Sequence, residues 1–512
     1  MFLLRNPRVI KLFSVFALAC LFLLSLSCFP PNHESQTFKQ PVDSYIRLKN
    51  TTLAVSVVAS KLKVPWDMAW GPDNQLWITE QEGIISRIDP VTGKKKVLVK
   101  LTDVWLMRTA GLLGMALSKD MKKNPFVYVD YTSIKGKIIT SKLVRFEYKN
   151  DSLVSPKLLL EIPGGTGHNG SRIVISAQEK LIWATGDLHD NKNAQDTTSV
   201  NGKILRLNLD GTFPADNPIK NSPVWAWGFR NMQGLTFDGR GNLYTSEHGD
   251  AIEDEVNRIV KRGNYGWSTI EGKHNLPEEK AFAHKFNTIE PLISWTPVIA
   301  PSGMAYYGGK LIPEWNNSLL LVTLKGKSLR VLKLNELGDK VANETICLEN
   351  KYGRMRAICV SPVGDVYIST SNRDWNPAGV PHKDDDRILR ITKSNVQLKT
   401  PVVAKIAKNP VVIHQGLTLY KTYCASCHKD NGMGVKSIFP SLKGSKAVTG
   451  SKSQLIDITL KGIKSSSDLQ MPAFNFLKDE QCAAILSYIR TNWGNKGSVV
   501  SKNDIAMQRK KK

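Results

Sequence analysis

A strand pattern that recurs between residues 51 and 395 limits the fold of this chain more than any other feature of its sequence. Each copy contains a short apolar strand, a turn and a second strand that ends in Thr or Ser. The copies recur at intervals of roughly 45 to 70 residues, and such units of short strands are typical of β-propellers, whose ring closure leaves only short sheet edges. Six copies predict six blades, and they lie at residues 68–79, 115–132, 173–185, 235–245, 304–323 and 358–369.

The loops between these copies carry more His, Arg and Asp than strands require. In a propeller the loops of every blade meet around a central funnel, so their polar side chains converge there. Guanidinium and ammonium groups bind carboxylates well, which makes this funnel a candidate site for a small polyanion. Salt-bridged surface residues are the alternative. The basic residues concerned are Arg230, Lys325, Arg354 and Arg356.

The motif C-x-x-C-H at Cys424, Cys427 and His428 is the second strong feature of the sequence. It attaches a c-type haem, with both thiols bound covalently to the porphyrin and the histidine bound to the iron. Met471 lies downstream in a Met-Pro sequence, and a thioether opposite an imidazole is the ligand pair that raises the potential of cytochromes c. A structural zinc site and a thioredoxin-like dithiol are the alternatives, but neither explains the histidine together with the methionine.

Apolar residues at helical spacing flank both haem-ligand motifs. This pattern predicts a small all-α cytochrome c domain over residues 413–496, followed by a basic tail over residues 497–512. The flanking residues are Ile413, Leu417 and Tyr420 before the first motif, and Cys482, Ile485, Leu486, Ile489 and Trp493 after the second.

Residues 1–28 have the pattern of an export signal. Basic residues precede an uncharged apolar run that ends at Cys28, and this run is too short for a spanning helix. The ending Leu-Ser-Leu-Ser-Cys resembles a bacterial lipobox, so Cys28 is a candidate for lipidation and membrane anchoring, with ordinary cleavage nearby as the alternative. We therefore expect an exported, periplasmic protein, which agrees with haem attachment outside the cytoplasm. Residues 29–50 are predicted to form a polar tether, and residues 396–412 a linker between the two domains.

The formal net charge of the chain is +25. Export argues against a nucleic acid as the partner of this basic surface. We expect it to meet an anionic membrane surface or an acidic redox partner. Dispersed lysines that only solvate the fold are the alternative.

Three cysteines remain after those of the signal and those of the haem motif. Cys482 falls on the apolar face of a predicted helix and is expected in the core. Cys347 and Cys359 lie in neighbouring strand-like segments, and an oxidising compartment would allow a disulfide between them. The sequence leaves that disulfide open.

Seven short motifs within residues 55–393 resemble the soluble quinoprotein sugar dehydrogenases, also called aldose sugar dehydrogenases. The resemblance implies a six-bladed propeller that binds pyrroloquinoline quinone (PQQ). The C-terminal part resembles a class I cytochrome c, and fusions of the two are an arrangement known in this family. The motifs are Gly111-Leu-Leu-Gly114 with Asn124-Pro125, His168 with Arg172, Gly186-Asp187, Arg230-Asn-Met-Gln-Gly234, Asp254-Glu255-Val-Asn257 with Asn264-Tyr-Gly-Trp267, Ala300-Pro-Ser302, and Arg354-x-Arg356.

The resemblance also implies roles for individual residues. His168 is the expected general base, which takes the proton of a sugar hydroxyl while hydride passes to the quinone, and a neutral imidazole titrates in the required range. A hydrogen-bonded loop residue is the alternative for this histidine. Asp187 is expected to orient the imidazole. The expected contacts to PQQ are Arg230, Asn231, Gln233, Lys325, Arg354 and Arg356.

Calcium is a further implication of the resemblance. Backbone carbonyls at Gly249 and Asp250 are expected to help hold an ion that polarises the quinone. A second, structural ion is expected near Glu255 and Tyr265.

Three positions depart from the family pattern. Thr109 stands where Gln or Glu is common, Ala357 follows the arginine pair where Asp is usual, and Gly167 precedes His168 where glucose-oxidising members carry an acidic residue. The preferred sugar therefore stays open.

These observations lead to one functional hypothesis with two alternatives. We expect an exported quinohaemoprotein that oxidises an aldose or a related sugar alcohol or aldehyde, and that passes electrons through its haem to a downstream cytochrome or another acceptor. A non-catalytic propeller that binds a ligand beside an electron-carrying haem is one alternative. A calcium-dependent lactonase is the other, although a lactonase has no use for a haem.

Overall fold

The computed structural model describes residues 40–250, 252–375, 381–396, 415–436, 438–463 and 471–511. The export signal with Cys28, the first part of the predicted tether and nearly all of the predicted linker lie outside these ranges. Residues Gln40–Lys512 belong to one compact unit. Within the described ranges, no helix has the length and apolar character needed to cross a membrane.

The described residues contain 25 strands in six sheets, and neighbouring strands pair antiparallel. This confirms the predicted six-bladed β-propeller. The strands are β1 Val42–Arg47, β2 Thr52–Ala59, β3 Pro65–Trp70, β4 Leu76–Glu80, β5 Ile84–Ile88, β6 Lys95–Lys100, β7 Leu112–Leu117, β8 Phe126–Lys135, β9 Ile138–Lys149, β10 Ser152–Pro163, β11 Gly170–Ile175, β12 Lys180–Thr185, β13 Lys203–Asn208, β14 Val224–Trp227, β15 Met232–Phe237, β16 Leu243–Glu247, β17 Asp254–Ile259, β18 Ile293–Trp295, β19 Pro301–Tyr307, β20 Ser318–Thr323, β21 Leu329–Leu334, β22 Val341–Cys347, β23 Met355–Val360, β24 Val366–Thr370 and β25 Ile388–Ser394.

Five of the sheets contain four consecutive strands, beginning with β3, β7, β11, β15 and β19. The first strand of each sheet packs against the first strand of the next, and β23 packs against β3. The innermost strands therefore form a closed ring, as a propeller requires.

The sixth sheet joins the two ends of the propeller chain. Strands β1 and β2 extend the sheet that β23, β24 and β25 form near residue 394. Residues 42–47, which belong to the predicted tether, are therefore part of a blade. The sequence concealed β1 because it is a largely exposed edge strand, and inward-facing Ser44 contributes only a hydroxyl group, which lies 2.7 Å from the Tyr352 hydroxyl.

Apolar clusters fill the space between neighbouring blades. Cys347 belongs to one cluster and Cys359 to another. Both are buried free thiols. The disulfide that the sequence left open is thus absent from the described residues.

A small helical domain follows the propeller and confirms the predicted all-α cytochrome c fold. Its first helix, which ends at Tyr423, packs on the helix that starts at Asp479, and Tyr420 and Cys482 between them are fully buried. The described helices are α1 Asn191–Gln195 and α2 Pro277–Phe286 in propeller loops, a 3-10 helix at Pro313–Trp315, and α3 Gln415–Tyr423, α4 Ala425–His428, α5 Lys446–Thr449, α6 Lys452–Lys461, α7 Asp479–Thr491 and α8 Lys502–Lys510 in the cytochrome domain.

The predicted basic tail, residues 497–512, is largely structured. The Ser501 side chain accepts a hydrogen bond from the backbone of Asp504 and caps α8, which packs against α6 and α7. Val500 and Ile505 join the apolar core of the domain. Sequence reasoning missed this helix because its apolar residues, Ile505, Ala506 and Met507, are consecutive among polar and charged ones and show no helical spacing.

Candidate active site

His168 and Asp187 meet at the mouth of the propeller. His168 lies in the loop between β10 and β11 and has a left-handed backbone with φ of 50°, and its Nδ1 is 2.7 Å from a carboxylate oxygen of Asp187. Asp187 follows β12, is fully buried and accepts two more hydrogen bonds, from Trp267 Nε1 at 2.8 Å and from the backbone N–H of His189 at 2.9 Å. The two residues predicted to act together are therefore in direct contact.

The charges of this pair suit proton abstraction. Burial lowers the pKa of His168, the positive charge of Arg230 lowers it further, and Asp187 opposes both effects. Burial alone would raise the pKa of Asp187, but His168 and Arg230 hold that pKa below its ordinary value. A neutral imidazole that donates Nδ1–H to a carboxylate keeps a lone pair on Nε2, which is the arrangement of a general base.

Arg230 and Lys325 place two partly buried cations in the same cavity as His168. The Arg230 guanidinium is 2.7 Å from the Asp250 carboxylate and lies 5.4 Å from the centre of the Trp267 ring. Burial lowers the pKa of Lys325, and the charge of Asp254 opposes this shift. Within the described residues, no carboxylate makes a direct salt bridge with Lys325, so this ammonium group favours an anionic ligand.

Arg354 and Arg356 share one buried carboxylate, that of Asp374. The distances from their Nη2 atoms to it are 2.7 and 3.0 Å, and its side chain is 1% exposed. Burial lowers the pKa of Arg356 to about 10, and Asp374 opposes this shift. Sequence reasoning found the arginine pair but missed Asp374, which lies beyond β24 and resembles any loop aspartate.

Asn231 and Gln233 also line the cavity, but their amide groups are used in part by the fold. Both bind the backbone of Gly170, two residues after the base. The Asn231 carbonyl accepts from Gly170 N at 3.2 Å, and Gln233 Nε2 donates to Gly170 O at 3.0 Å. These contacts fix the loop that carries His168, and direct PQQ binding by these two residues stays a prediction.

Arg172 belongs to the motif that contains His168, and the structure gives it a structural role. It forms a buried salt bridge with Asp67, and its guanidinium lies 4.4 Å from the centre of the Trp66 ring. Its Nε donates to the backbone carbonyl of Gln233 at 2.9 Å. Arg172 therefore ties three blades together behind the base.

The residues predicted for calcium lie together, beside Arg230. Gly249, Glu255 and Tyr265 line a small void of about 10 Å³ together with Glu247 and Glu271, whereas Asp250 lines the larger cavity. Burial raises the pKa of Glu255 and of Glu271 to about 7, with Arg230 opposing the shift at Glu271, and one Glu271 oxygen has no partner within the described residues. The Tyr265 hydroxyl is occupied by the backbone of Arg258 and of Val260. The donor set fits a hard cation, although no three His, Cys, Asp or Glu side chains of the described residues converge on one point.

The residues predicted to hold the haem surround one crevice of the cytochrome domain. Cys424 lies between α3 and α4, Cys427 lies within α4, and His428 ends α4. The Nδ1 atom of His428 is 2.9 Å from the Pro440 carbonyl oxygen, which orients the ring and leaves Nε2 for the iron. Met471 lines the same cavity, and its backbone exchanges hydrogen bonds with Ile463 at 2.9 and 3.2 Å. These residues fit a c-type haem with His and Met ligands.

Replacement of Met471 by alanine is expected to leave the haem attached, because its covalent bonds are to Cys424 and Cys427. Loss of the thioether should lower the reduction potential by on the order of 100 mV. Redox titration and the oxidised spectrum measure this effect. Met433→Ala, which removes a half-exposed methionine of the same domain, is the control and should change neither. An unchanged potential in Met471→Ala would identify another residue as the ligand.

One continuous cavity of about 450 Å³ connects the two sites. His168, Arg230 and Lys325 line its propeller side, whereas Cys427 and Met471 line its cytochrome side. The rings of Trp375 and Phe439, one from each domain, are 5.9 Å apart at this boundary. The haem crevice therefore opens directly onto the propeller funnel, which no sequence feature indicated.

The cavity contains residues that sequence reasoning missed. His189 and His248 line it, and so do Trp66 and Trp375. His189 lies two residues after Asp187, which belongs to a recognised motif. Its position in the loop after that motif is the sequence feature that could have identified it.

The three departures from the family pattern have different surroundings. Thr109 lies at the cavity, and its hydroxyl is 3.4 Å from the Thr166 carbonyl oxygen. Gly167 leaves space that a neighbouring ring fills, since a Cβ atom there would be 2.8 Å from His189 Nε2. Ala357 is fully buried within β23.

Comparison with known proteins agrees with this arrangement. A family model described as Glucose / Sorbosone dehydrogenase matches residues 62–376, and one described as Cytochrome C oxidase, cbb3-type, subunit III matches residues 412–489. Aldose sugar dehydrogenase YliI of Escherichia coli K12 is 31% identical over 62% of this chain and 90% of its own length. Cytochrome c-552 of Thermus thermophilus is 36% identical over 14% of this chain and 63% of its own length.

A solved structure is similar to the propeller as a whole. The PQQ-bound form of aldose sugar dehydrogenase from Streptomyces coelicolor is 33% identical, with a TM-score of 0.59, and the match covers 67% of this chain and 98% of that one. The match thus includes nearly the whole of that chain. Because the family model covers more than half of the sequence, this chain belongs to the glucose/sorbosone dehydrogenase family and carries a C-terminal cytochrome c domain.

Proposed function

We propose that this protein oxidises an aldose sugar in the propeller funnel with PQQ as the electron acceptor, and that its own cytochrome domain then receives the electrons. The observation that carries the proposal is the continuous cavity, in which the base His168 and the haem-binding residues Cys427 and Met471 face the same space. The relatives named above, an aldose sugar dehydrogenase and a PQQ-bound one, support the substrate class and the cofactor.

The cavity has the charge that PQQ requires. PQQ is a tricarboxylic acid, and Arg230, Lys325, Arg354 and Arg356 supply positive charge at its wall. Lys325 is partly buried, and burial lowers its pKa, so a carboxylate beside it would gain a strong ionic hydrogen bond. When bound, PQQ would supply two-electron acceptor chemistry and the haem one-electron chemistry.

The chain itself supplies the base and its orientation. His168 Nε2 takes the proton of the sugar hydroxyl, while Asp187 holds Nδ1–H and stabilises the imidazolium that forms. The buried Trp267 and His189 N–H bonds keep the Asp187 carboxylate in place. The cytochrome domain covers the funnel, which restricts water around the reacting groups.

Calcium and export remain part of the proposal. Glu255 and Gly249, with their neighbours around the small void, would hold a calcium ion that balances the buried carboxylates. Residues 1–28 would direct the protein to the periplasm, with Cys28 as a lipid anchor. An external acceptor would then take electrons from the haem.

Reduction of the haem by sugar should not depend on protein concentration, because donor and acceptor sites belong to one chain. The test is stopped-flow mixing of PQQ- and calcium-loaded protein with a panel of aldoses at several dilutions, with the haem band as readout. We expect a first-order rate that stays constant on dilution.

The double variant Cys424→Ala, Cys427→Ala is the control, since it cannot attach haem but should still reduce an added dye. A rate that falls in proportion to dilution would mean that electrons pass between molecules. If aldoses reduce neither haem nor dye, the propeller is a binding module or a lactonase, and the proposed oxidation is wrong.

A further inference from the structure

His189 is a second imidazole of the cavity that the proposed chemistry does not use. Its ring stacks on the ring of His168, with centroids 3.5 Å apart and planes inclined by 28°. Leu188 and His189 both have left-handed backbones, with φ of 58° and 64°, and the His189 N–H donates to Asp187. This tight turn places the ring of His189 against the base.

Gly167 provides the space for this ring. A Cβ atom at position 167 would lie 2.8 Å from His189 Nε2, which is closer than carbon and nitrogen approach without a bond. A side chain at position 167 would therefore displace the imidazole. The lack of a side chain at Gly167 is therefore what allows the His189 ring to stack on His168.

The ring nitrogens of His189 have no hydrogen-bond partner within the described residues, in contrast to the other two imidazoles on the propeller side of the cavity. His168 Nδ1 is bound by Asp187, and His248 Nε2 is 2.9 Å from the Pro301 carbonyl oxygen. Burial and then the neighbouring His168 and Arg230 lower the pKa of His189 to about 3. The ring is thus neutral and offers one donor and one acceptor to a ligand in the cavity.

We propose that His189 binds a hydroxyl group of the sugar, next to the hydroxyl whose proton His168 removes, and thereby helps to select the substrate. The inference rests on the proposed function. The 3.5 Å between the two ring centroids is similar to the distance between neighbouring hydroxyl oxygens of a sugar. The two imidazoles can therefore each form a hydrogen bond with one of two adjacent oxygens. For an aldose oxidised at C1, the adjacent group is the C2 hydroxyl.

The test compares His189→Phe, which keeps a stacked ring without nitrogens, with His189→Gln, which keeps a donor and an acceptor. Glucose, galactose and ribose are each assayed beside their 2-deoxy counterparts, and the pair with the fastest wild-type oxidation is used. We expect His189→Phe to raise KM for the parent aldose about tenfold with a smaller change in kcat, since one hydrogen bond is lost. KM for the 2-deoxy sugar should stay constant, and His189→Gln should recover most of the loss.

Binding without turnover provides a second readout. The dissociation constant of 1,5-anhydroglucitol, which lacks the C1 hydroxyl, is measured by calorimetry and should rise by a similar factor in His189→Phe. Equal losses for the parent and the 2-deoxy sugar, or no loss in either assay, would overturn the inference while the proposed oxidation stands. If no aldose is oxidised by the wild-type protein, the proposed function itself fails, and this inference fails with it.

Discussion

Substitution of His168 by glutamine is expected to lower kcat for aldose oxidation by about a hundredfold to ten-thousandfold, the usual contribution of general-base catalysis. Glutamine fills similar space but cannot accept a proton. PQQ binding should change little, because His168 is proposed to act on the substrate proton, whereas the proposed contacts to the cofactor's carboxylates are Arg230, Lys325, Arg354 and Arg356. The experiment measures dye reduction at saturating sugar together with a PQQ titration of the apo-protein.

His274→Gln is the matched control. His274 lies in a propeller loop outside the cavity, and its Nε2 is 3.1 Å from the Thr288 hydroxyl. This variant should retain wild-type kcat. A His168→Gln variant with near-normal turnover would remove His168 from the proposed reaction.

The pH dependence of kcat follows from the same base. A protonated His168 cannot accept the proton of the substrate. Burial together with Arg230 lowers the pKa of His168 below the ordinary value of 6.5. The active neutral form therefore persists as the pH falls through 6.5, and turnover is lost only at lower pH. A pH profile of kcat for the wild-type protein checks this expectation, and a midpoint at or above 6.5 would contradict it.

The sequence was sufficient for the fold where local patterns repeat. Paired strands that end in Thr or Ser recur in every blade, so six copies were enough to predict six sheets. Strand β1 and helix α8 were not predicted, because each is stabilised by packing on other elements rather than by its own sequence pattern. β1 needs the surface of β2, and α8 needs the core formed by α6 and α7, while their own residues are mostly polar.

Site residues were predictable where they belong to recognisable motifs. His168 and Arg230 do line one cavity, and Asp187 contacts His168 from behind. Asp374 and His189 were not predictable, because their importance comes from neighbours that lie close only after folding. Asp374 matters because it pairs with Arg354 and Arg356. His189 matters because its ring fits the space that Gly167 leaves beside the base. The contact between funnel and haem crevice arises from packing of two domains, which has no counterpart in local sequence.

Asp374→Asn is expected to destabilise the apo-protein by about 3 to 5 kcal/mol, because it leaves the buried guanidinium of Arg356 and the partly buried one of Arg354 without their shared carboxylate. The Asp374 side chain is 1% exposed and bonds to Arg354 and Arg356 at 2.7 and 3.0 Å. The thermal unfolding midpoint of the propeller should therefore fall by several degrees. Far-UV circular dichroism measures this midpoint.

A buried polyanion should repair part of this defect, since its carboxylates can neutralise the released arginines. Saturating PQQ should therefore raise the unfolding midpoint more in Asp374→Asn than in the wild-type protein. Asp365→Asn is the matched control, because it breaks another buried pair, with Arg390 at 2.8 Å, whose members do not line the cavity. It should destabilise the apo-protein without any additional gain from PQQ. If PQQ stabilises both variants equally, the two arginines do not bind the cofactor, and the anionic ligand must be held by Arg230 and Lys325 alone.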